Sequence, residues 1–157
     1  MSLGGTGPGK VQAVAADAQD LETVSAEDFG ASLRGIGLNL LVRDVPAQAA
    51  FLGEVFGMTA HRVSRDFAIL RYGEMLFQIH ADGTYHSNPL LGLLPETPPR
   101  GAGLEIRLYD SDPDVAAQKA EAAGGTILQP PTDKPHGLRE AYILCADGYA
   151  WVPSRPL

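Results

Sequence analysis

Eight side chains in this sequence combine reactive or ligand-binding chemistry with suggestive positions: Asn39, Gln78, His80, Glu105, Arg107, His136, Arg139 and Glu140. The guanidinium of Arg107 offers planar, paired donors to an anionic or carbonyl group. His80 has an intrinsic pKa near neutrality, as a general base requires, and Glu105 is its candidate acid–base counterpart. The stretch Asp133–Glu140 precedes the last strand pair; Pro135 and Gly137 set a turn in it, and His136, Arg139 and Glu140 stand where a loop can close on a ligand. Structural roles compete for the same residues. Glu105 and Arg107, or a pair between repeats, can close a sheet as an ion pair, because buried polar groups need partners with or without a ligand. His80 can be a hydrogen-bonded strand-end residue, and Arg139 and Glu140 a surface pair of little energetic weight. His61, His80, His86 and His136, with Asp82 or Glu140, are scattered without the spacing of a metal site. Trp151 and Tyr142 read as core, and Cys145, in an apolar strand with no adjacent cation, as a buried filler. Tyr85 and His86 fall in a linker.

An internal repeat positions these groups. Gly35–Asp44 (GIGLNLLVRD) matches Gly101–Asp110 (GAGLEIRLYD) at one offset. Each copy leads into a helix with proline in the first turn and glycine past the end: Pro46–Phe56 before Gly57, and Pro113–Ala123 before Gly124. Strands follow. In the first copy these are Thr59–Val63, Phe67–Tyr72 and Met75–His80, the last two joined by a tight turn at Gly73-Glu74. In the second they are Thr126–Leu128, Ala141–Cys145 and Tyr149–Pro153, turning at Asp147-Gly148. The chain thus divides into a tail over residues 1–34, module one over 35–81, a Pro/Gly-rich linker over 82–100 and module two over 101–157. Residues 1–10 are Gly-rich and read as flexible; Ser25 caps a short helix, Ala26–Leu33, placed outside the main fold. Alternation along the strands puts Leu38, Leu40, Val42, Met75, Phe77 and Ile79 toward a helix. It puts Asn39, Leu41, Leu76, Gln78, His80, Glu105 and Arg107 on the opposite, inner face.

Composition narrows the function. The 157 residues carry a net charge of -7, with a pI of about 4.9. That balance, without a Lys/Arg cluster, disfavours nucleic acid and anionic membranes as partners. A single cysteine excludes an intrachain disulfide. No membrane-spanning run and no secretory leader are evident, so a cytoplasmic location is expected.

Four pieces, in order and duplicated, carry a family resemblance: Val42-Arg43-Asp44 ahead of a helix, Phe51–Gly57 (FLGEVFG), Ala123-Gly124-Gly125 and Asp147-Gly148-Tyr149. Over Gly35 to Pro153 the chain resembles the vicinal oxygen chelate superfamily, which holds glyoxalase I, bleomycin-resistance proteins and extradiol dioxygenases. The resemblance implies an α+β fold of two tandem βαβββ modules, with a curved mixed sheet around a central cup and helices outside. Asp133–Glu140 is similar to a loop that lies over the cup's mouth in bleomycin-resistance-like members. The superfamily's metal-ligand positions fall on Gly37, Gln78, Gly103 and Val152, three of which cannot ligate. The resemblance therefore implies a member without metal or other cofactor, closest to the bleomycin-resistance-like branch, that binds a small molecule in the cup through Asn39, Gln78, His80, Glu105, Arg107, His136, Arg139 and Glu140. It implies a homodimer as well. The alternative is a lyase, isomerase or dioxygenase-type enzyme using a relocated metal or His80/Glu105 acid–base chemistry. A third reading is a fold kept for dimer contacts or regulation, its cup plugged by Leu41, Leu76 and their neighbours.

Overall fold

The computed structural model describes residues 20–83 and 88–157. Within them lie three α-helices and eight strands: α1 (Ala26–Ser32), β1 (Asn39–Val42), α2 (Val45–Phe56), β2 (Thr59–His61), β3 (Phe67–Tyr72), β4 (Met75–Ala81), β5 (Glu105–Tyr109), α3 (Pro113–Ala122), β6 (Thr126–Asp133), β7 (Leu138–Leu144) and β8 (Ala150–Pro156). A short 3-10 turn, Pro89–Leu93, interrupts the linker and is capped by the Asn88 side chain. The protein is α+β, with two four-stranded mixed sheets of matching order, β1-β4-β3-β2 and β5-β8-β7-β6. In each, the first strand runs parallel to the last and the other pairs are antiparallel. Two βαβββ repeats thus stand where the duplicated sequence requires them.

The described chain falls into two compact units, residues 20–46 with 58–83, and residues 47–57 with 88–157. In the first unit the sheet has two unlike faces. Leu40, Val42, Ala68, Leu70 and Ile79 are buried on one. The other carries Asn39, Leu41, Ile69, Leu76, Gln78 and His80, as strand alternation requires. The N-terminal segment packs onto this second face. Ser25 accepts a hydrogen bond from the Asp28 amide at 3.0 Å and starts α1. Phe29 of α1 and Leu21 then pack with Ile69 and Leu76, flanked by Val24, Leu33 and Phe67. Burying Phe29 contributes about 2 kcal/mol, enough to hold a seven-residue helix that would be unstable alone. The Glu22 carboxylate also accepts from the Arg62 amide at 2.9 Å. The helix expected outside the main fold therefore sits on a sheet face. The tail over residues 1–10 lies outside the described residues.

In the second unit α3 packs along β6, β7 and β8. Its N-cap is Asp112, Pro113 occupies its first turn, and Ala116, Ala117 and Ala120 are its buried stripe. Residues 47–57 of α2 belong to this unit too. The Phe56 ring lies 6.0 Å from that of the fully buried Trp151. Gly125 allows the Phe51 ring close approach, since a Cβ there would lie 3.0 Å from it.

The segment Asp133–Glu140, read from the sequence as a loop, is a hairpin. β6 runs on through Pro130 and Pro131 to Asp133, and β7 begins at Leu138. Prolines are tolerated because β6 is the sheet's edge and its register with β7 shifts between Gln129 and Thr132, which leaves Pro130 and Pro131 outside the paired positions. The turn closes with Gly137, at φ +87, donating its amide to the Lys134 carbonyl at 3.1 Å. Arg139 and Glu140 are consecutive strand residues and so point to opposite faces.

Candidate functional site

On the first unit's partly covered face, Asn39 and Gln78 are register partners across parallel strands, as are Leu41 and His80. His80 packs its ring 5.1 Å from that of Phe67. Burial lowers its pKa, so the neutral imidazole is the folded form. Where α1 ends, the chain turns through Gly35, at φ +74, toward β1. A cavity of about 270 Å³ opens there. Phe29, Leu33, Arg34 and Gly35 wall it on the N-terminal side, and Gly37, Leu38, Leu76, Phe77 and Gln78 on the sheet side. The Gln78 side-chain amide has no hydrogen-bond partner among the described residues. His61, on β2, holds its Nδ1 3.6 Å from the Glu22 carboxylate. His86 and Tyr85 lie outside the described residues.

The second unit gathers charge on β5, β7 and β8. Glu140 is only 2% exposed, and its carboxylate accepts a hydrogen bond from Arg107 Nη2. His136 Nε2 lies 3.2 Å from the same oxygen, Oε2. Arg107 also reaches Glu105 from Nη1 at 3.2 Å and Ser154 Oγ from Nη2 at 3.3 Å, and its guanidinium lies 5.8 Å from the centroid of the Tyr109 ring. These contacts fix the ionisation. Burial pushes the Glu140 pKa up, but hydrogen bonds and charge from Arg107 and His136 outweigh it and hold the carboxyl below its usual range. Burial pulls Arg107 down, and its hydrogen bonds to Glu140 and Tyr109 more than reverse this. A hydrogen bond to Glu105, then burial, raises the Tyr142 pKa.

The structure thus brings together Glu105, Arg107, His136 and Glu140, and turns Arg139 away. Arg139 lies on the α3 side, where Nε and Nη2 donate to the Asp114 carboxylate at 2.9 Å each and Nη1 to Asp133 at 2.9 Å. Asn39, Gln78 and His80 share the first unit's face, and Glu105 stands on β5 of the second. Sequence reasoning missed Ser154, Phe29, Leu33 and Arg34. The spacing of Phe29 and Leu33, four residues apart after a Ser cap, was the available signal that this helix has something to bury.

The positions that the resemblance assigns to metal ligands hold Gly37, Gln78, Gly103 and Val152, which together do not make up a donor set for a divalent ion. Gly37 and Gly103 have no side chain, Val152 is fully buried and apolar, and Gln78 faces the cavity without a carboxylate or imidazole partner at those positions. Among the described residues no group of three or more His, Cys, Asp or Glu side chains is placed to hold a metal.

Residues 36–152 match the profile of the Glyoxalase/Bleomycin resistance protein/Dioxygenase superfamily. The chain belongs to this superfamily. Solved structures share the fold of this glyoxalase-superfamily chain. A family enzyme from Burkholderia phytofirmans PsJN is 22% identical with a TM-score of 0.64, the match covering 76% of this chain and 96% of that one. TioX from Micromonospora sp. ML1 is 25% identical with a TM-score of 0.56, covering 78% and 100%. The fosfomycin resistance protein FosX from Mesorhizobium loti is 18% identical with a TM-score of 0.56, covering 78% and 92%. No curated relative matches the chain. Among the described residues, those before residue 36, including α1, precede the superfamily match.

Proposed function

We propose that this superfamily member binds a small organic molecule, and that it does so without a divalent ion at the superfamily's chelating positions. The observation that carries the reading is the cavity of about 270 Å³ beside Gln78, on a sheet face otherwise closed by Leu21, Phe29, Ile69 and Leu76. Mostly apolar walls with the Gln78 amide and the Arg34 side chain suit recognition by shape plus a few polar contacts. The donor chemistry at Gly37, Gln78, Gly103 and Val152 supports the metal-free part. Asn39 and His80 lie on the same sheet face as Gln78; Glu105, Arg107, His136 and Glu140 hold one another in the second unit. A homodimer and a cytoplasmic location belong to the same reading; among the described residues no helix is long and apolar enough to cross a membrane.

A thermal-shift screen of small aromatic and carbonyl compounds tests this. A ligand at a hundred times its Kd adds about 2.7 kcal/mol, a shift of several degrees. Leu76→Trp, which fills the cavity, abolishes that shift. Stoichiometric zinc, nickel, manganese or iron in protein purified without chelator overturns the metal-free part, and hits indifferent to Leu76→Trp overturn the location.

One observation favours an enzyme instead. Glu140 is buried against His136, whose side chain is half exposed at 52%, and a carboxylate-held imidazole open to solvent is an acid–base arrangement. Turnover of a compound from the screen, lost in His136→Gln with binding retained, decides for that reading.

A further inference from the structure

We infer that Arg34, from the segment preceding the superfamily match, makes the first unit's cavity a site for a small apolar carboxylate. The inference rests on the proposal that a ligand occupies this cavity, and it adds the ligand's chemical class and the residue that selects it.

Three observations converge. The cavity, about 270 Å³, is small beside the roughly 300–1,000 Å³ usual for ligand pockets, so it suits a molecule of about one ring with a short substituent. Its apolar side chains on this face are Phe29 and Leu33 from the N-terminal segment and Leu76 from β4. The charged lining residue is Arg34, and its guanidinium is already oriented. Nη1 donates to the carbonyls of Ala31 at 2.6 Å and Leu33 at 2.8 Å, two acceptors that α1 leaves free at its C-terminal end. Those bonds pin one corner of a planar group. The Nε–Nη2 edge has no partner among the described residues, and that edge presents the two parallel donors a carboxylate accepts. The Gln78 amide, at the cavity's other wall, is left for a second polar contact with the ligand.

The same geometry explains why the N-terminal segment docks on this face. Phe29 and Leu33 supply both the contact that holds α1 and part of the ligand's apolar surroundings, so the site is incomplete without residues that the superfamily match does not include. Binding and docking of the segment are therefore coupled: a ligand touching Phe29 and Arg34 stabilises the segment's docked state, in proportion to those contacts.

Two probes of equal shape isolate the charge. Phenylacetate and its neutral isostere phenylacetamide are titrated into the full chain in low salt, with amide chemical shifts followed by NMR. The expected result is that both perturb residues 34–38 and 76–78, that phenylacetate binds about tenfold more tightly, and that Arg34→Gln removes the difference between the two probes. Arg34 is exposed, and the phenylacetamide shifts of the same variant report whether the site survives the loss of its bonds to the Ala31 and Leu33 carbonyls. Equal affinity of the two probes for the unaltered protein overturns the assignment of Arg34 and leaves the cavity reading standing. Shifts confined to other parts of the chain, or a phenylacetate preference that survives Arg34→Gln, overturn the inference as well. The cavity reading itself stands or falls on the Leu76→Trp result.

Discussion

Glu140→Gln is the sharpest test of the second unit's charge cluster. The substitution keeps the side chain's shape and removes the carboxylate that Arg107 and His136 share. Truncating one partner of a fully buried pair costs about 3–5 kcal/mol. Here Glu140 is 2% exposed but Arg107 is 24% exposed and retains its contact with Glu105, so water recovers part of the loss and about 2 kcal/mol remains. For a chain of this length, Tm falls by about 2–4 °C per kcal/mol, or about 4–8 °C in all. Glu105→Gln is the internal control. That carboxylate is 45% exposed, and its pair with Arg107 is worth under about 0.5 kcal/mol. Urea unfolding followed by circular dichroism, on Glu140→Gln, Arg107→Met and the double variant, yields the coupling energy, expected at about 1.5 kcal/mol or more. A coupling below about 0.5 kcal/mol, or equal losses for Glu105→Gln and Glu140→Gln, refutes the claim that this buried contact is what fixes Arg107.

Two further outcomes follow from other parts of the structure. Burial lowers the folded pKa of His80 below its ordinary 6.5, so the unfolded chain takes up the proton first; this residue's contribution is complete above about pH 6.5 and is lost as pH falls through the folded value. Urea midpoints measured from pH 7 to pH 5 therefore decline more steeply for the parent than for His80→Gln, and identical slopes contradict the assignment. Gly148 sits at φ +79, and a Cβ there would lie 2.4 Å from the Pro99 Cα, so Gly148→Ala forces a backbone shift and costs at least about 2 kcal/mol. Gly137, at φ +87 with nothing near its Cβ, carries only the conformational strain of about 1 kcal/mol; a Gly137→Ala loss as large as that at Gly148 shows that contact with Pro99 is not the cause.

Much of the fold is local and was legible from local signals. Alternation assigned Leu76, Gln78 and His80 to one face of β4 and Phe77 and Ile79 to the other, because the strand repeat of two residues leaves no choice once the strand exists. Proline in the first turn and glycine after the end located α2 and α3 to within a residue or two, since those signals act on the backbone where they occur. The duplication supplied the matching strand orders, because two copies of one pattern find the same pairing. Asp133–Glu140 misled for a physical reason. Pro135 and Gly137 mark a turn there, but how far the strands run on either side of it is set by the pairing of β6 with β7 in the assembled sheet.

The sequence by itself determined the repeat, the helices and the alternating faces, each of which depends on residues near one another in the chain. Only the tertiary structure decided which distant groups meet. Arg107 finds Glu140, 33 residues away, because β8 lies between β5 and β7 and brings their side chains onto one face. Arg139, one residue along, is carried to the α3 side and to Asp114. The N-terminal helix covers Ile69 and Leu76 and leaves a cavity at Arg34 and Gln78 because its two apolar residues have no other surface within their own segment to bury against, and no local pattern names that surface.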